Sequence, residues 1–142
     1  MEVTIAQTEE EMKGVQHVRY EVFVKEQHVS VEEEWDEYED SSIHFLAHDN
    51  HTPVGAGRLR WVENTGKAER ICILSSYRGT GLGRLIMSAL EDYVQSQNGK
   101  EVILSAQTHA RPFYEKIGYK VTSEEEFLDA GIPHVSMIKG IE

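Results

Sequence analysis

Residues 73–84, Ile-Leu-Ser-Ser-Tyr-Arg-Gly-Thr-Gly-Leu-Gly-Arg, carry the clearest pattern in the sequence. The apolar run 71–74 stops there and is followed by three glycines at alternate positions, Gly79, Gly81 and Gly83. A helical pattern begins at once, with apolar residues at three- and four-residue steps over residues 82–94. A strand, a glycine turn and a helix in this order direct free backbone N–H groups at a bound anion. We therefore interpret the stretch as a phosphate-binding turn, with Arg78 and Arg84 adding positive charge.

The composition excludes several classes of protein. A chain of 142 residues, 39% hydrophobic and 27% charged, fits one domain over residues 1–142. The formal net charge of -11 argues against a nucleic-acid partner, because such proteins depend on Lys and Arg. Cys72 is the only cysteine, so an intramolecular disulfide is excluded. The N-terminus is acidic, unlike a secretory signal, and no apolar run reaches the roughly 20 residues of a membrane span. We expect a cytoplasmic protein without a membrane partner.

Local patterns predict the elements around the turn. Thr8 and Glu11 form a capping box at the start of the first helix, and residues 22–30 are either a second short helix or a turn. Gly55 and Gly57 lie inside a strand pattern, which predicts a bulge or a close backbone approach. Strands are expected at residues 3–6, 44–49, 54–62, 68–74, 102–106, 119–122 and 135–139.

The order of these elements predicts the fold class. A β-meander in the first half, followed by βαβα and two more strands, gives an α/β (α+β) fold with a mixed central sheet of about six to seven strands. Helices are expected from residue 82 to the Asn98-Gly99 pair and from Ala110 to Ile117. The acidic run 32–40 is typical of a solvated loop, and the alternative, indicated by the interleaved Trp35 and Tyr38, is that it rims a pocket. Residues 124–133 form a polar excursion.

Two nucleotide-binding templates do not fit the glycine turn. A dinucleotide fold needs Gly-x-Gly-x-x-Gly and an acidic residue at the tip of the next strand. Here the third glycine comes one position early, and Gln107 follows the strand that ends near Ala106. A Walker P-loop string is also missing from the sequence. Taken alone, the turn leaves a phosphate site and a tight structural turn as alternatives.

Two segments together resemble the GNAT N-acetyltransferase superfamily. Residues 78–83, Arg-Gly-Thr-Gly-Leu-Gly, are similar to its Arg/Gln-x-x-Gly-x-Gly/Ala signature. Residues 110–119, Ala-Arg-Pro-Phe-Tyr-Glu-Lys-Ile-Gly-Tyr, resemble its Ala-x-x-Phe-Tyr-x-x-x-Gly-Phe/Tyr segment. Residues 19–27, 69–73 and 127–134 further resemble the small bacterial ElaA/YjcF-like branch. The resemblance implies the GNAT fold, with two splayed strands at the cofactor site.

The resemblance also implies acetyl-coenzyme A (acetyl-CoA) as the co-substrate, with no metal. In the family the signature turn binds the pyrophosphate, and the edge of the preceding strand binds the pantetheine arm. An amide near Ile73 is expected to face the acetyl oxygen, a type of contact that contributes a few kcal/mol to acyl transfer. The residues expected to bind the cofactor are Cys72, Ile73, Leu74, Arg78, Gly79, Thr80, Gly81, Leu82, Gly83, Arg84, Gln107 and Phe113.

Two catalytic residues are expected. Tyr114 matches the tyrosine with which the family protonates the departing thiolate, and the alternative is a core tyrosine of an amphipathic helix. Glu69 is a candidate general base, because it has the same strand parity as Ile71 and Ile73 and should face the same side. The alternative for Glu69 is an ion pair with a neighbour such as Arg58, Arg60 or Lys67.

Other residues around the expected site have open roles. Glu26 and His134 are further candidates for the base or for substrate binding, and a water chain would need no dedicated base. Arg19 either binds an acidic group of the substrate or braces the acidic run 32–40. Cys72, inside an apolar strand, is expected to be an inert buried thiol instead of an acyl carrier.

These observations predict an acetyl-CoA-dependent N-acetyltransferase in which an amine attacks the thioester directly. The alternatives are a catalytically silent CoA-binding module and a nucleotide-binding regulatory domain. The acceptor is expected to be the amine of a small molecule or peptide, and the acidic residues 32–40 favour a polyamine, aminoglycoside or lysine-like amine. Dimers are common in the family, so the resemblance is compatible with a homodimer.

Overall fold

The glycine turn joins the fourth strand of a mixed sheet to the longest helix of the protein. The computed structural model describes residues 1–123 and 125–141. Eight strands form one sheet in the order β1-β2-β3-β4-β5-β8-β6, with β7 paired to β8. The strands are β1 (Glu2–Ile5), β2 (Ile43–Asp49), β3 (Thr52–Val62), β4 (Thr65–Ile73), β5 (Glu101–Gln107), β6 (Lys120–Val121), β7 (Phe127–Asp129) and β8 (Ile132–Gly140). The helices are α1 (Glu9–Arg19), α2 (Val31–Glu34), α3 (Leu82–Ser96) and α4 (Arg111–Lys116).

The sheet lies between helices that use opposite faces of it. Helix α1 packs Val15 and Val18 against Cys72 and neighbouring residues on one face. Helix α3 packs Met87 and Leu90 on the other face, where the larger core includes residues of β3, β4, β5 and α4. The mixed α/β fold predicted from the sequence is confirmed.

The polar excursion contains a strand that the sequence analysis missed. Phe127–Asp129 pairs with Ile132–His134 as a hairpin, which brings the number of strands above the expected six to seven. The two turn residues, Ala130 and Gly131, have φ values of 51° and 77°. A two-residue turn with both residues at positive φ suits the right-handed twist of a hairpin. Glu124, the first residue of the excursion, lies outside the described residues.

Residues 20–26 form a π-helical segment that continues α1. The Gln27 N–H donates to the Val22 carbonyl, five residues back, at 3.0 Å. Neither alternative for residues 22–30 holds throughout, because residues 22–26 belong to the helical segment that continues α1 and the chain turns at Gln27. The π-helical segment buries Val22 and leaves Phe23 in the lining of a cleft. π-Helical turns often occur at functional sites.

A bulge in β4 reverses the sides on which its residues lie. Ala56 pairs with Cys72 and Arg58 pairs with Glu69, so β4 has one extra residue between these pairs. Arg70 takes up the irregularity with a φ of 54°. The expectation that Glu69 faces the same side as Ile71 is wrong, because the bulge puts the two side chains on opposite faces.

The predicted close approach at the two strand glycines is confirmed. A Cβ atom on Gly57 would lie 2.9 Å from Ile71 Cδ1 and 3.1 Å from Ile86 Cγ2. A Cβ atom on Gly55 would lie 3.0 Å from Ile86 Cδ1. These glycines let α3 pack directly on the backbone of β3, which fixes the start of α3 over the sheet. Within residues 1–123 and 125–141, no helix is long and apolar enough to span a membrane.

Candidate active site

Strands β4 and β5 separate in the middle of the sheet. They pair in parallel from Gly66 with Val102 to Ala68 with Leu104, and no further. Both strands continue beyond that point, β4 to Ile73 and β5 to Gln107. The gap opens into a cleft of about 1030 Å³. Backbone N–H and C=O groups on the separated edges are available to a ligand there, because a strand edge without a neighbour keeps its hydrogen-bonding groups free.

The cleft brings together most of the residues expected from the sequence. Its lining includes Glu26, Glu69, Cys72, Ile73, Arg78, Gly79, Gly81, Leu82, Gly83, Arg84, Gln107, Phe113, Tyr114 and His134. Among the described residues, the expected site residues outside this lining are Arg19, Leu74 and Thr80.

The three glycines of the turn have different roles. Gly79 and Gly81 have φ values of 78° and 88°, and a Cβ atom on either would meet nothing within 4 Å. Their free faces leave room for a ligand at the N-terminus of α3. Gly83 instead packs under α4, where a Cβ atom would lie 3.0 Å from Phe113 Cζ. The first two glycines therefore leave open space at the start of α3, and the third lets the two motif segments touch.

The amide of Ile73 points into the gap. Leu74 N–H donates to the Val54 carbonyl on the β3 side at 3.0 Å. Successive residues of an extended strand direct their N–H groups to opposite edges, so the Ile73 N–H faces the open edge. The side chain of Cys72 points toward α1, where burial raises the pKa of its thiol to about 12. This burial agrees with the expectation of an inert thiol.

Arg78 lies between the turn and the π-helical segment. Its guanidinium donates to both carboxylate oxygens of Glu26, at 2.6 and 2.7 Å. It also donates to the Ile73 carbonyl at 3.0 and 3.2 Å. The hydrogen bond from Arg78 is the largest cause of a lowered pKa at Glu26. One arginine thus connects the strand edge, the glycine turn and the opposite wall of the cleft.

Tyr114 is buried in α4 and lines the cleft. Its side chain is 8% exposed, and its ring packs edge-on against Phe113 and Tyr119. Burial raises the pKa of its hydroxyl above the ordinary value of 10, so the group keeps its proton at neutral pH. Among the described residues, the Tyr114 hydroxyl has no hydrogen-bond partner, whereas Tyr119 donates to Glu91 at 2.8 Å. Tyr114 therefore presents a free proton donor to the cleft.

Glu69 is held by several cations. Its carboxylate accepts from Arg58 at 2.7 Å and from Arg60 at 3.3 Å, and Lys67 Nζ lies 3.6 Å away. Burial alone would raise the pKa of Glu69, but Arg60 and Arg58 outweigh it and the net pKa is lowered. The structure thus contains the ion pairs that were the alternative for Glu69. A carboxylate stabilised in this way is a weak proton acceptor.

His134 has one ring nitrogen free for chemistry. Its Nδ1 lies 2.6 Å from the Ile132 carbonyl, and its ring stacks on Phe127 with centroids 6.0 Å apart. A carbonyl oxygen only accepts, so Nδ1 carries the proton and neutral His134 has its lone pair on Nε2. Within the described part of the chain, Nε2 has no protein partner. His134 lies opposite Gln107 in the β5–β8 pairing, at the rim of the cleft.

Three acids of the run, Glu34, Asp36 and Glu39, join a buried ion network, whereas its other four acids are exposed, as the expected solvated loop predicts. Arg19, only 1% exposed, donates to Glu34 at 2.7 Å and to Glu39 at 2.7 Å. Arg58 is equally buried and donates to Asp36 and Glu39, both at 2.7 Å. Arg19 therefore braces the acidic segment from outside the cleft, which is the second of its two predicted roles.

A bridge across the cleft has no counterpart in the sequence analysis. Gln107 Nε2 donates to Gln27 Oε1 at 2.9 Å, which links the tip of β5 to the π-helical segment. His109 Nε2 lies 2.6 Å from Gln107 Oε1. The glutamines are 80 positions apart, so no local pattern indicates the contact. Arg58 lies inside the strand pattern 54–62, and a charged residue within a strand is a signal of buried partners.

The sequence as a whole matches a known family. A family model described as "Acetyltransferase (GNAT) domain" matches residues 4–141. The chain belongs to the GNAT acetyltransferase family. A GNAT relative of Bacillus subtilis (strain 168), the uncharacterised N-acetyltransferase YjcF, is 53% identical over 139 residues, covering 98% of this chain and 99% of that protein. The resemblance stated from the two motif segments is thereby confirmed.

Solved GNAT structures share the architecture. An acyl-CoA N-acyltransferase from Pseudomonas aeruginosa has a TM-score of 0.84 and 27% identity, with 98% of this chain and 99% of that one covered. An aminoglycoside 6'-N-acetyltransferase complexed with coenzyme A has a TM-score of 0.80, with 100% and 98% covered. At 17% identity the second likeness concerns the fold alone.

Proposed function

We propose that this protein is an acetyl-CoA-dependent N-acetyltransferase that transfers the acetyl group directly to an amine. The observation that carries the proposal is the separation of β4 from β5 after Ala68 and Leu104, which opens a strand edge beside the glycine turn. Acetyl-CoA fits such a site, because the free strand edge offers backbone donors to its thioester end and the glycine turn offers them to its diphosphate. The coenzyme A in the complex of the aminoglycoside 6'-N-acetyltransferase, a protein of the same fold, supports the choice of cofactor.

The cofactor would be held by two groups of residues. Gly79 and Gly81 leave the space for a diphosphate at the N-terminus of α3, where free N–H groups favour negative charge. The edge at Ile73 would hold the pantetheine arm, and Arg84 would add positive charge. When bound, acetyl-CoA supplies an activated acyl group as a thioester.

The residues of this chain would then divide the acyl transfer between them. The Ile73 N–H polarises the acetyl carbonyl by donating a hydrogen bond to its oxygen. His134 Nε2 accepts a proton from the amine while the new C–N bond forms. Tyr114 donates its phenolic proton to the sulfur as the C–S bond breaks. An acceptor that arrives as an ammonium first loses a proton to solvent, since only the neutral amine attacks. Afterwards Tyr114 takes up a proton from solvent and His134 releases one.

His134 and Glu69 are the competing candidates for the base. His134 has an unpartnered Nε2 among the described residues, whereas Glu69 is bound to Arg58 and Arg60. We therefore propose His134, with Glu69 acting through water as the second candidate. If His134 is the base, His134→Gln should lower kcat/KM about 100-fold, because a positioned general base contributes about that much or more, and Glu69→Gln should leave it nearly unchanged. The reverse pattern would assign the role to Glu69.

The charge of the acceptor does not follow from the acidic run. Glu34, Asp36 and Glu39 are each bound to buried or half-buried arginines, so their charge is compensated within the protein. The sequence-based preference for a polyamine, aminoglycoside or lysine-like amine therefore loses the support of these three acids. We propose only that the acceptor is a primary amine of a small molecule or peptide.

A screen of amines with acetyl-CoA tests the function. Thiol release that depends on an added amine, with an equal amount of acetylated product, would support the proposal. Tight binding of coenzyme A without turnover over a broad panel would instead support a silent binding module. Protection from heat by ATP or NAD, with none by coenzyme A, would contradict both.

A further inference from the structure

Glu26 and Arg78 bind each other across the mouth of the cleft. Their bidentate contact, at 2.6 and 2.7 Å, joins the end of the π-helical segment to the first residue of the glycine turn. Both side chains are more than two-fifths exposed, at 42% and 44%. The pair therefore lies where solvent and ligand can reach it, and its arginine is one of the charges of the proposed anion site.

Two anions, the Glu26 carboxylate and the diphosphate of the cofactor, would compete for the guanidinium of Arg78. A diphosphate at Gly79 and Gly81 would lie beside Arg78 and attract it, because arginine binds phosphate oxygens in the same bidentate manner as carboxylate. The Glu26 carboxylate already accepts hydrogen bonds from Arg78 Nη1 and Nη2, which the diphosphate would need. The inference that follows rests on the proposed function, since it needs a diphosphate ligand in the turn.

We propose that the diphosphate of acetyl-CoA displaces Glu26 from Arg78, and that the released carboxylate then binds the ammonium group of the acceptor. Glu26 lines the same cleft as Glu69 and His134. In the free protein its charge is occupied by Arg78, and in the cofactor complex it faces the cleft unpaired. The exchange couples the binding of the two substrates, because the Glu26 carboxylate becomes free to bind the acceptor only after the cofactor is bound.

Glu26 could instead help cofactor binding, and the two roles predict opposite changes in the affinity for coenzyme A when Glu26 is replaced. If Glu26 only holds Arg78 in the orientation that the diphosphate needs, removing the carboxylate weakens cofactor binding. If Glu26 competes with the diphosphate, removing it strengthens cofactor binding. The direction of a single affinity change therefore separates a competing carboxylate from an orienting one.

Isothermal titration of Glu26→Gln with coenzyme A is the test. An exposed ion pair contributes little, so we expect the Kd to fall about two- to fivefold relative to the wild type. Glu21→Gln is the matched control: it removes the same charge from the same segment, where Glu21 pairs with Lys25 at 3.4 Å. Its Kd should stay within error of the wild type. An unchanged or higher Kd for Glu26→Gln would overturn the proposal.

Two further measurements tie the effect to Arg78 and to the diphosphate. In an Arg78→Gln background, Glu26→Gln should no longer lower the Kd, because there is no guanidinium to release. Acetylpantetheine, which lacks the diphosphate, should bind the wild type and Glu26→Gln equally. If Glu26→Gln still lowers the Kd in the Arg78→Gln background, or lowers the Kd for acetylpantetheine, the diphosphate does not act by displacing Glu26 from Arg78.

The acceptor half of the proposal has its own readout. With an amine substrate in hand, Glu26→Gln should raise the KM for the amine severalfold and leave kcat within about twofold. An unchanged amine KM would remove Glu26 from acceptor binding. Wild-type protein that fails to bind coenzyme A would overturn the proposed function itself, whereas normal wild-type binding without a gain in Glu26→Gln overturns only this inference.

Discussion

Ala68 and Leu104 form the last pair between β4 and β5, and the proposed acyl-transfer chemistry lies beyond them. Up to this pair the two strands share a continuous core under α3. Beyond it, β4 carries Glu69, the bulge at Arg70 and the open edge at Ile73, while β5 ends at Gln107. One interruption in the strand pairing therefore creates both the cleft and its free backbone donors.

Tyr114→Phe should lower kcat about 100-fold, because a positioned general acid contributes about that much or more. The Kd for acetyl-CoA should barely change, since the ring and its packing stay in place. Tyr119→Phe is the control, because that hydroxyl binds Glu91 and not the cleft. It should reduce the free energy of unfolding by about 1 kcal/mol and leave kcat unchanged. Equal turnover of Tyr114→Phe and wild type would remove Tyr114 from the mechanism.

Gly81→Val should abolish coenzyme A binding. The side chain would enter the open space above the turn, and the positive φ of 88° adds strain of about 1 kcal/mol or more. Gly140→Val is a matched control, because a Cβ atom there also meets nothing within 4 Å and the strand backbone accepts valine. Titration calorimetry of both variants, with circular dichroism to verify folding, gives the answer. A folded Gly81→Val protein with normal affinity would refute the anion site.

Asp36→Asn should reduce the free energy of unfolding by about 1–3 kcal/mol, because Arg58 loses a charged partner while remaining buried. Burial alone would raise the pKa of Asp36, but Arg58 and Arg70 lower it from 3.8 to about 2. A lowered pKa stabilises the fold above the unfolded value and loses that contribution as the pH falls toward 2. The difference in free energy of unfolding between wild type and Asp36→Asn, measured with urea, should therefore become smaller in acid. A difference that does not change with pH would contradict the ion pair between Asp36 and Arg58.

Cys72 should be nearly inert toward thiol reagents in the folded protein. Burial raises its pKa to about 12, so the thiol keeps its proton at ordinary pH. The rate at which Cys72 reacts with a chromogenic disulfide reagent, compared between native protein and protein in denaturant, measures the reactivity of the thiol directly. Fast reaction of the native protein, or an acetyl group found on Cys72 after incubation with acetyl-CoA, would restore the acyl-carrier alternative.

The glycine turn and the Tyr114 segment could be predicted because their chemistry is local. Positive φ at Gly79 and Gly81 is a property of the residue type, and the helix after them follows from apolar spacing. The hairpin at Ala130 and Gly131 was missed although its turn is also local. Alanine is uncommon at positive φ, so the pair did not stand out as a type I′ turn.

The orientation of Glu69 could not be predicted, because the bulge at Arg70 has no local signal. Arginine does not favour a φ of 54°, and its position is set by contacts with Glu34 and Asp36. The partners of Arg19 and Arg58 are 15 to 22 positions away in the acidic run. Which acids of a charged segment are buried is decided by tertiary packing, which buries Glu34 beside the cleft and holds Asp36 and Glu39 in the ion network.

The central claim is that this cleft transfers an acetyl group from acetyl-CoA to an amine. Mass spectrometry of an amine panel after incubation with acetyl-CoA tests it most directly, with parallel samples of wild type and Tyr114→Phe. We predict acetylated amine in an amount equal to the thiol released by the wild type, and far less product with Tyr114→Phe. Product formed equally by both proteins, or thiol release with no acetylated amine in any sample, would contradict the claim.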